Sequence, residues 1–276
     1  MGRARDASYV APVRRARVAV VVALLVAASA RAQADPRPDD PAAIFNVSLP
    51  IDGAIIAVSA AGIIVPYALT SRLIHPSCPC SAASVNSFDR GVIGNASDAA
   101  DWVSNVTVGL AIVAPPVADW LALRRPRPFL DDLVVFTESL TVNGALVTMV
   151  KYIVQRPIPR VYSDPALVDD PHSYRSFYSG HTSLAMAALS TTSVVLDVRY
   201  GLTWEPWAVT ALIGASVGAE RVWAGYHFYT DVLVGAAAGT LVGTLVAVAH
   251  LRAPRLRVSA FRTETGGAGI VLGGAL

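Results

Sequence analysis

The chain has 276 residues, of which 54% are hydrophobic and only 15% are charged. A soluble domain is nearer a quarter charged, so this balance favours a membrane protein or an unusually apolar helical bundle. The net charge is +2 and the arginines are scattered, with no basic run interleaved with aromatic residues, which argues against nucleic acid as a partner.

Residues 1–32 have the composition of a secretory signal peptide. Three arginines precede the apolar stretch VAVVVALLVAASA, and Ala30-Arg31-Ala32 offers a small-x-small cleavage site. The alternative is an uncleaved N-terminal anchor, because the apolar core is short but very apolar. Residues 33–50, which begin QADPRPDDPAA, are predicted to be a flexible lead-in.

Six apolar runs follow, rich in Ala, Val, Leu and Gly. They lack strict two-residue alternation, so each is predicted to be a helix, and several approach the ~20 residues that cross a bilayer. The runs cover residues 51–70, 103–123, 133–154, 181–197, 204–221 and 229–251. We therefore predict an all-α fold with one helical domain over 51–251 and a glycine-rich C-terminal tail over 252–276.

Small and polar residues within these runs set expectations about packing. Gly235, Gly239 and Gly243 recur at four-residue spacing, which suits close helix packing in lipid. Polar groups inside membrane helices need interior partners, and three such residues are Asp119, Glu138 and Asn143.

Two cysteines, Cys78 and Cys80, are separated by one proline. An exported chain allows disulfides, but this spacing is expected to place the two poorly for pairing with each other. With only His75 nearby they make a thin metal site, so a plain loop is the favoured interpretation.

The longest connection, residues 155–180, is too polar to span a membrane and too rich in Pro and Asp to be one helix. Lys151, Arg156 and Arg160 lie at its start. These cations could bind an anion, or they could simply favour the helix dipole and reach for water.

The connection ends in Ser179-Gly180-His181. Ser179 is expected to cap the next helix, whose free backbone amides, with a glycine that allows close approach, form an anion site. His181 would then lie beside the bound anion. The simpler alternative is a capping serine followed by a partly exposed histidine.

A third pattern surrounds the start of the sixth run. His227 and Asp231 are four residues apart, so on a helix they would face the same way. The carboxylate can accept one ring N–H and leave the other nitrogen as a nucleophile. Arg221 closes an apolar run, where a charge is costly, and its planar guanidinium suits phosphate oxygens.

The three patterns belong together in an up-and-down bundle. The end of run three, the start of run four and the turn between runs five and six all lie at one end. The converging residues are Lys151, Arg156, Ser179, Gly180, His181, Arg221, His227 and Asp231.

In these motifs the chain resembles the type 2 phosphatidic acid phosphatases, a superfamily that shares a fold with the vanadium haloperoxidases and bacterial acid phosphatases. The family signature is Lys-x6-Arg-Pro, then Pro-Ser-Gly-His, then Ser-Arg-x5-His-x3-Asp. The chain departs from it at three positions: Ile158 replaces the first arginine, Tyr178 the proline and Glu220 the second serine. The resemblance covers about residues 133–243.

The resemblance implies a six-helix core bundle of the acid phosphatase/vanadium haloperoxidase type, embedded in a membrane. It implies hydrolysis of phosphomonoesters or lipid (pyro)phosphates without metal or other cofactor, with membrane lipids as neighbours. His227 would be the nucleophile, held by Asp231, and His181 the acid and base. The phosphate would be held by Lys151, Arg156, Ser179, Gly180 and Arg221.

Two alternatives stay open. One is a vanadate-dependent haloperoxidase, since vanadate fits the same cradle. The other is a catalytically weakened membrane protein that binds phospholipids without turnover, because Ile158 removes a guanidinium.

The expected location is outside the cytoplasm: an inner-membrane protein with a periplasm-facing site, or a periplasmic protein. Two inferences conflict here. If the leader is removed and all six runs span, the site faces the cytoplasm, yet the arginines at the opposite end of the bundle would also be cytoplasmic by the positive-inside tendency.

Overall fold

A computed structural model of the protein describes residues 43–78, 80–252, 255–262 and 268–275. The predicted signal peptide or anchor, 1–32, and most of the lead-in lie outside these residues. Six long helices form the bundle: α1 (Leu49–Ala68), α2 (Asp98–Leu123), α3 (Pro126–Val154), α4 (Gly180–Tyr200), α5 (Glu205–Trp223) and α6 (Tyr229–His250). Each coincides with one predicted apolar run, so the predicted helical bundle is confirmed.

Short elements connect the long helices. Single helical turns span Thr70–Leu73 and Ser87–Arg90, and a 3₁₀ turn spans Ala82–Ser84. The long connection between α3 and α4 contains three more 3₁₀ turns, at Pro159–Tyr162, Pro165–Leu167 and Pro171–Tyr174. Each of these three begins at a proline, whose fixed φ suits the first position of a helical turn.

The C-terminal tail contains a strand pair that was not predicted. Strands β1 (Arg255–Arg262) and β2 (Ala268–Ala275) pair antiparallel, with Arg255 opposite Ala275 and Arg262 opposite Ala268. The sequence of β1, RLRVSAFR, alternates polar and apolar residues over much of its length, which is the pattern of a strand. The glycine content of the tail obscured that signal.

The glycines of α6 lie directly against the backbone of α4. A Cβ added at Gly235 would lie 2.7 Å from the carbonyl oxygen of Ser179, and one at Gly239 would collide with the backbone of Ser183. Helix α6 can therefore approach α4 this closely only because these positions lack side chains. The predicted role of the glycine stripe is confirmed.

Polar residues inside the bundle have interior partners, as expected. Asp119 of α2 and Asp132 of α3 both bind Arg199 of α4, with N–O distances of 2.9 and 2.5 Å. The Oδ1 atom of Asn143 accepts a 2.8 Å hydrogen bond from the hydroxyl of Ser183. These contacts tie α2, α3 and α4 together where the helices are otherwise apolar.

The outer surface is apolar along the helices and aromatic near both ends. Helices α1, α2 and α6, and the segment Pro126–Tyr162 that contains α3, are long and apolar enough to cross a membrane. Exposed aromatic side chains lie near the end of the bundle where α4 and α6 begin (Phe88, Trp102, Trp223 and Tyr229) and near the opposite end (Trp120, Tyr200 and Trp204). Two aromatic girdles separated by apolar helix are typical of a protein in a bilayer.

The cysteine prediction was wrong. Cys78 and Cys80 form a disulfide, with their Cα atoms 4.5 Å apart. That separation lies inside the range of about 4.4–6.8 Å that disulfides tolerate, so one intervening residue does not prevent pairing here.

Candidate active site

The three motifs meet at one end of the bundle. The backbone N–H of Ser179 donates a 3.0 Å hydrogen bond to the carbonyl of Asp231, which joins the start of α4 to the first turn of α6. The side chain of Lys151, at the end of α3, passes Gly180, where an added Cβ would lie 3.7 Å from Lys151 Cε. The juxtaposition expected from an up-and-down bundle is therefore present.

The start of α4 has the geometry that its sequence indicates. Ser179 is the N-cap, and its hydroxyl accepts a hydrogen bond of 3.4 Å from the backbone N–H of Thr182. Gly180 is the first helical residue and His181 lies in the first turn. The capping role of Ser179 is confirmed, and this helix terminus faces the other two motifs.

His227 and Asp231 lie together, but not on one helix. His227 precedes the N-cap residue Phe228, so it belongs to the turn between α5 and α6. Its Nδ1 lies 3.9 Å from Asp231 Oδ2, beyond hydrogen-bonding distance. Asp231 Oδ2 instead accepts hydrogen bonds from the Ser176 hydroxyl (2.5 Å) and from the backbone N–H of Phe228 (2.9 Å).

The surroundings of His227 favour its neutral form. The side chain is buried, and among the described residues Nδ1 has no hydrogen-bond partner. Burial, with a further contribution from the positive charge of Lys151, lowers the pKa of His227 from 6.5 to about 3. The Asp231 carboxylate opposes this shift without reversing it. A neutral imidazole retains the lone pair that a nucleophile needs.

Arg156 is directed at Asp231. One guanidinium nitrogen lies 2.5 Å from Asp231 Oδ1 and 2.9 Å from the Thr230 hydroxyl, and the other lies 2.8 Å from Asp89 Oδ2. The guanidinium also covers the ring of Phe228 at 4.0 Å. In the structure Arg156 thus contacts the carboxylates of Asp231 and Asp89, and its predicted contact with phosphate stays a prediction.

Asp89 anchors this arrangement from the short helix Ser87–Arg90. Its carboxylate accepts hydrogen bonds from Arg156, from both the backbone and hydroxyl of Thr230, and from Asn86. Burial alone would raise the pKa of Asp89, but these hydrogen bonds outweigh it and hold the pKa below 3.8. Asp89 is therefore a fixed negative charge that holds Arg156 in place.

Helix α2 supplies partners to the other two motifs. Arg221 donates hydrogen bonds to the carboxylate of Asp101 and, at 3.2 Å, to the hydroxyl of Ser104. The Nε2 atom of His181 lies 2.7 Å from Asn105 Oδ1. Asp101, Ser104 and Asn105 thus form one polar stripe on a largely apolar helix, and this stripe faces the site.

The electrostatics around His181 resemble those around His227. Burial, together with the charges of Arg221 and Lys151, lowers the pKa of His181 from 6.5 to about 4, against an opposing contribution from Asp101. Lys151 donates a 2.5 Å hydrogen bond to the carbonyl of Arg175. A bound phosphate would offset these cations and favour the protonated form of His181.

The three departures from the family signature are all buried. Ile158 is 7% exposed, and its backbone N–H donates to the carbonyl of Ser173 at 2.8 Å. Tyr178 is buried, which raises the pKa of its phenol to about 12. Glu220 accepts a hydrogen bond of 2.9 Å from the Ser216 hydroxyl. Arg160 lies 4.6 Å from the centroid of the Tyr226 ring, so it packs beside the site.

The structure brings to the site several residues that were not predicted from the sequence. Asp101, Ser104 and Asn105 follow an i, i+3, i+4 spacing, so a search for polar stripes on apolar helices would have found them. Asp89 lies in the single helical turn Ser87–Arg90 and Ser176 in the connection before α4, and neither belongs to a periodic pattern. Their contacts depend on the path of the connecting chain, which local sequence does not reveal.

Comparison with known proteins agrees with the motifs. Residues 132–255 match the family model described as the PAP2 superfamily. The chain is similar to the lipid A 4'-phosphatase of Porphyromonas gingivalis, with 36% identity over 77 residues, which is 28% of this chain. The alignment covers 30% of that relative, so the chain spans less than a third of it.

Two solved structures are also similar to the chain. LpxE of Aquifex aeolicus is 24% identical, with a TM-score of 0.40, over 57% of this chain and 90% of that one. The PAP2-type phosphatidylglycerolphosphate phosphatase of Bacillus subtilis is 21% identical, with a TM-score of 0.43, over 71% of this chain and 92% of that one.

The segment that matches the family model contains all three motifs, from Lys151 to Asp231, in the family order. The matching segment, which is somewhat less than half of the chain, is thus similar to the PAP2 superfamily, the type 2 phosphatidic acid phosphatases.

Proposed function

We propose that this chain is a phosphatase that hydrolyses lipid phosphates or other phosphomonoesters through a phosphohistidine, without a metal ion. The observation that carries the proposal is His227, a buried neutral imidazole with Lys151 and Arg221 close enough to act on its pKa and a carboxylate behind it. Phosphoryl transfer through a covalent intermediate requires a nucleophile, a carboxylate that orients it and cations that hold the phosphate oxygens.

In the first step, His227 Nε2 attacks phosphorus in line with the leaving oxygen. The new P–N bond forms as the P–O bond breaks, and His181 gives its proton to the departing oxygen. The Nδ1–H of the phosphorylated ring stays on the ring and donates a hydrogen bond to the Asp231 carboxylate. This requires the present 3.9 Å separation to shorten when substrate binds.

In the second step, His181 accepts a proton from water as the water oxygen attacks phosphorus. The P–N bond breaks, its electron pair returns to Nε2, and inorganic phosphate leaves. The cycle restores both histidines and consumes one water.

The proposed contacts to the non-bridging oxygens come from Lys151, Arg221, the Ser179 hydroxyl and the Gly180 amide. Arg156 has a different role in this proposal. It is a positioning residue that orients Asp231, as its contacts to Asp89 and Asp231 support.

A lipid phosphate is the favoured substrate class. The residue that contacts His181, Asn105, is exposed and sits between Trp102 (67% exposed) and Val106 on α2. A phosphate headgroup could reach His181 while its acyl chains stay against these apolar side chains. The similar protein of Porphyromonas gingivalis carries the name lipid A 4'-phosphatase, which agrees with this class.

The proposed location is a membrane with the site on its periplasmic side. A single cysteine introduced at Ala166, an exposed residue of the 155–180 connection, tests it when Cys78 and Cys80 are replaced. An impermeant maleimide should label Ala166→Cys in intact cells. Labelling only after lysis would place the site in the cytoplasm.

Activity is tested by phosphate release from a lipid phosphate in detergent micelles. His227→Ala should abolish release while the variant still folds, and His172→Ala, an exposed histidine in the same loop region, should retain it. Near-normal turnover by His227→Ala would refute the mechanism. Halide oxidation that requires added vanadate would favour the haloperoxidase, and phospholipid binding without turnover would favour the weakened protein.

A further inference from the structure

A second polar cluster lies at the end of the bundle opposite the phosphate site. We propose that Asp52, Glu138 and His250 bind one divalent transition-metal ion there. His250 is the last residue of α6, whose 22 residues correspond to about 30 Å and begin beside Asp231. The proposed metal therefore has no part in the chemistry of the phosphate site, and the proposal does not depend on it.

The three side chains come from three helices and are all buried. Asp52 lies in the first turn of α1, Glu138 in α3 and His250 at the end of α6, with exposures of 0, 2 and 0%. One ligand atom from each lies within 4.8 Å of the others. Three metal-ligating groups thus converge on one point inside an apolar bundle.

The hydrogen bonding of His250 directs a ring nitrogen at this point. Its Nδ1 lies 2.7 Å from the carbonyl oxygen of Val246, which can only accept, so Nδ1 carries the proton in the neutral ring. Nε2 is buried and has no hydrogen-bond partner among the described residues. Donation of one ring N–H to a backbone carbonyl is the usual arrangement for a metal-binding histidine.

The distances fit a shared ion better than direct contacts. His250 Nε2 lies 3.6 Å from Asp52 Oδ1 and 3.7 Å from Glu138 Oε2, and both separations exceed a hydrogen bond. Two ligands that are each about 2.1 Å from one ion lie about 3.4–3.6 Å apart at tetrahedral to trigonal angles. One cation shared by the three side chains would satisfy the buried Nε2 atom and also contact the carboxylate oxygens that face it.

The Asp52 carboxylate is already oriented by the backbone. Its Oδ2 accepts a 2.8 Å hydrogen bond from the N–H of Ser48, which leaves Oδ1 on the side of His250. The segment before α1 also covers the site, because Asn46 donates a 2.7 Å backbone hydrogen bond to the His250 carbonyl. One imidazole nitrogen with two carboxylates suits Zn²⁺ or Mn²⁺ better than Ca²⁺ or Mg²⁺, which prefer oxygen alone.

An ion at this position would join α1, α3 and α6, and through Asn46 the segment that precedes α1. Its effect would be structural, as a cross-link between helix ends. In the unfolded chain the three ligands would be far apart and would not bind the ion together. Because only the folded chain would bind it, the free energy of unfolding would rise with the metal concentration.

The test uses the full chain in dodecylmaltoside micelles, stripped with EDTA, desalted and titrated with ZnCl₂. Bound zinc is counted by plasma mass spectrometry and the melting temperature is followed by tryptophan fluorescence. We expect about one Zn²⁺ per chain and a rise in melting temperature on loading. Glu138→Gln and His250→Gln should each weaken zinc binding at least about tenfold and abolish the rise.

Two control variants detect zinc bound elsewhere. Glu205→Gln and His172→Gln alter an exposed carboxylate and an exposed histidine, and both should bind zinc as the unaltered chain does. Equal zinc binding by Glu138→Gln and the unaltered chain would overturn the proposal.

A measurement on the unaltered chain covers the case in which the variants do not fold. Loading with Co²⁺ should produce visible d–d absorption, and X-ray absorption of the zinc form should show one imidazole among oxygen ligands. Absence of stoichiometric metal in the unaltered chain would identify the cluster as an imidazolium held between carboxylates, and would also overturn the proposal.

Discussion

The role of Arg156 can be tested by removing its charge. In Arg156→Gln, the Asp231 and Asp89 carboxylates, both fully buried, lose a guanidinium that lies 2.5 and 2.8 Å away. Breaking a buried ion pair by removing one partner costs about 3–5 kcal/mol, and the 20% exposure of the Arg156 side chain favours the lower value. We expect a loss of about 3 kcal/mol in the free energy of unfolding.

The assay is unfolding in mixed micelles of dodecylmaltoside and sodium dodecyl sulfate, with the double-mutant cycle completed by Asp89→Asn. Asp89→Asn should recover part of the loss in Arg156→Gln, since one uncompensated carboxylate is gone, with a coupling of about 1–3 kcal/mol. Arg90→Gln, a neighbouring arginine whose hydrogen bonds reach only backbone carbonyls, serves as the matched control.

Kinetics separate positioning from phosphate binding. If Arg156 orients Asp231, the substitution should lower kcat about 10- to 100-fold and leave KM nearly unchanged. A raised KM at unchanged kcat, with stability within about 1 kcal/mol of the unaltered chain, would refute the positioning role and restore Arg156 as a phosphate ligand.

Three further predictions follow from packing and burial. Gly239→Ala should destabilise the bundle by about 2 kcal/mol or more, because the added Cβ collides with the backbone of Ser183. In the control Gly109→Ala the added Cβ has no atom within 4 Å, so its helix propensity should raise stability by up to about 1 kcal/mol. Equal changes in the free energy of unfolding in mixed micelles would refute this. Ile158→Arg should lower the melting temperature and raise kcat/KM less than about tenfold, since the position is buried; a larger gain would show that it faces phosphate. Folding lowers the pKa of His227 from 6.5 to about 3. Between these pH values the unfolded chain binds a proton at His227 that the folded chain does not bind, so the free energy of unfolding decreases as the pH is lowered below 6.5. Between pH 7.5 and 5 the unaltered chain should therefore lose about 2 kcal/mol more stability than His227→Gln, and parallel curves would contradict the shift.

Much of the fold was predictable because the helices are long and apolar. Long apolar runs, with prolines and polar residues between them, define all six helices, and the small residues of α6 identify its closest partner face. The tail was not predictable in the same way. The alternation of polar and apolar residues is confined to the short segment β1, which lies beside many glycines. The pairing of β1 with β2 is a contact between two separate segments, which local sequence does not reveal.

The site was predictable where chemistry and helix ends coincide. Ser179, His181, Arg221 and His227 lie at or beside helix termini, so the topology alone brings them together. The partners of Arg156 were not predictable, because Asp89 reaches it from a short helix 67 residues earlier in the chain. Spacing within a motif cannot show which carboxylate an arginine will meet.

The helical spacing of His227 and Asp231 correctly predicted that the two side chains lie close together, but His227 does not lie on the helix as that spacing implied. The two side chains are close because Asp231 accepts the capping hydrogen bond from the N–H of Phe228, and His227 is the residue directly before Phe228. The same capping bond holds the carboxylate 3.9 Å from the ring, which a helical wheel does not capture.

The most direct test of the mechanism is to trap the phosphorylated enzyme. A substrate with a good leaving group, such as p-nitrophenyl phosphate, needs no acid for the first step, so His181→Asn should accumulate the intermediate because its second step lacks a base. Rapid quenching in alkali followed by peptide mass spectrometry should find phosphate on His227. Phosphate on another residue, or turnover by the unaltered chain with no phosphorylated His227 at any quench time, would contradict the mechanism.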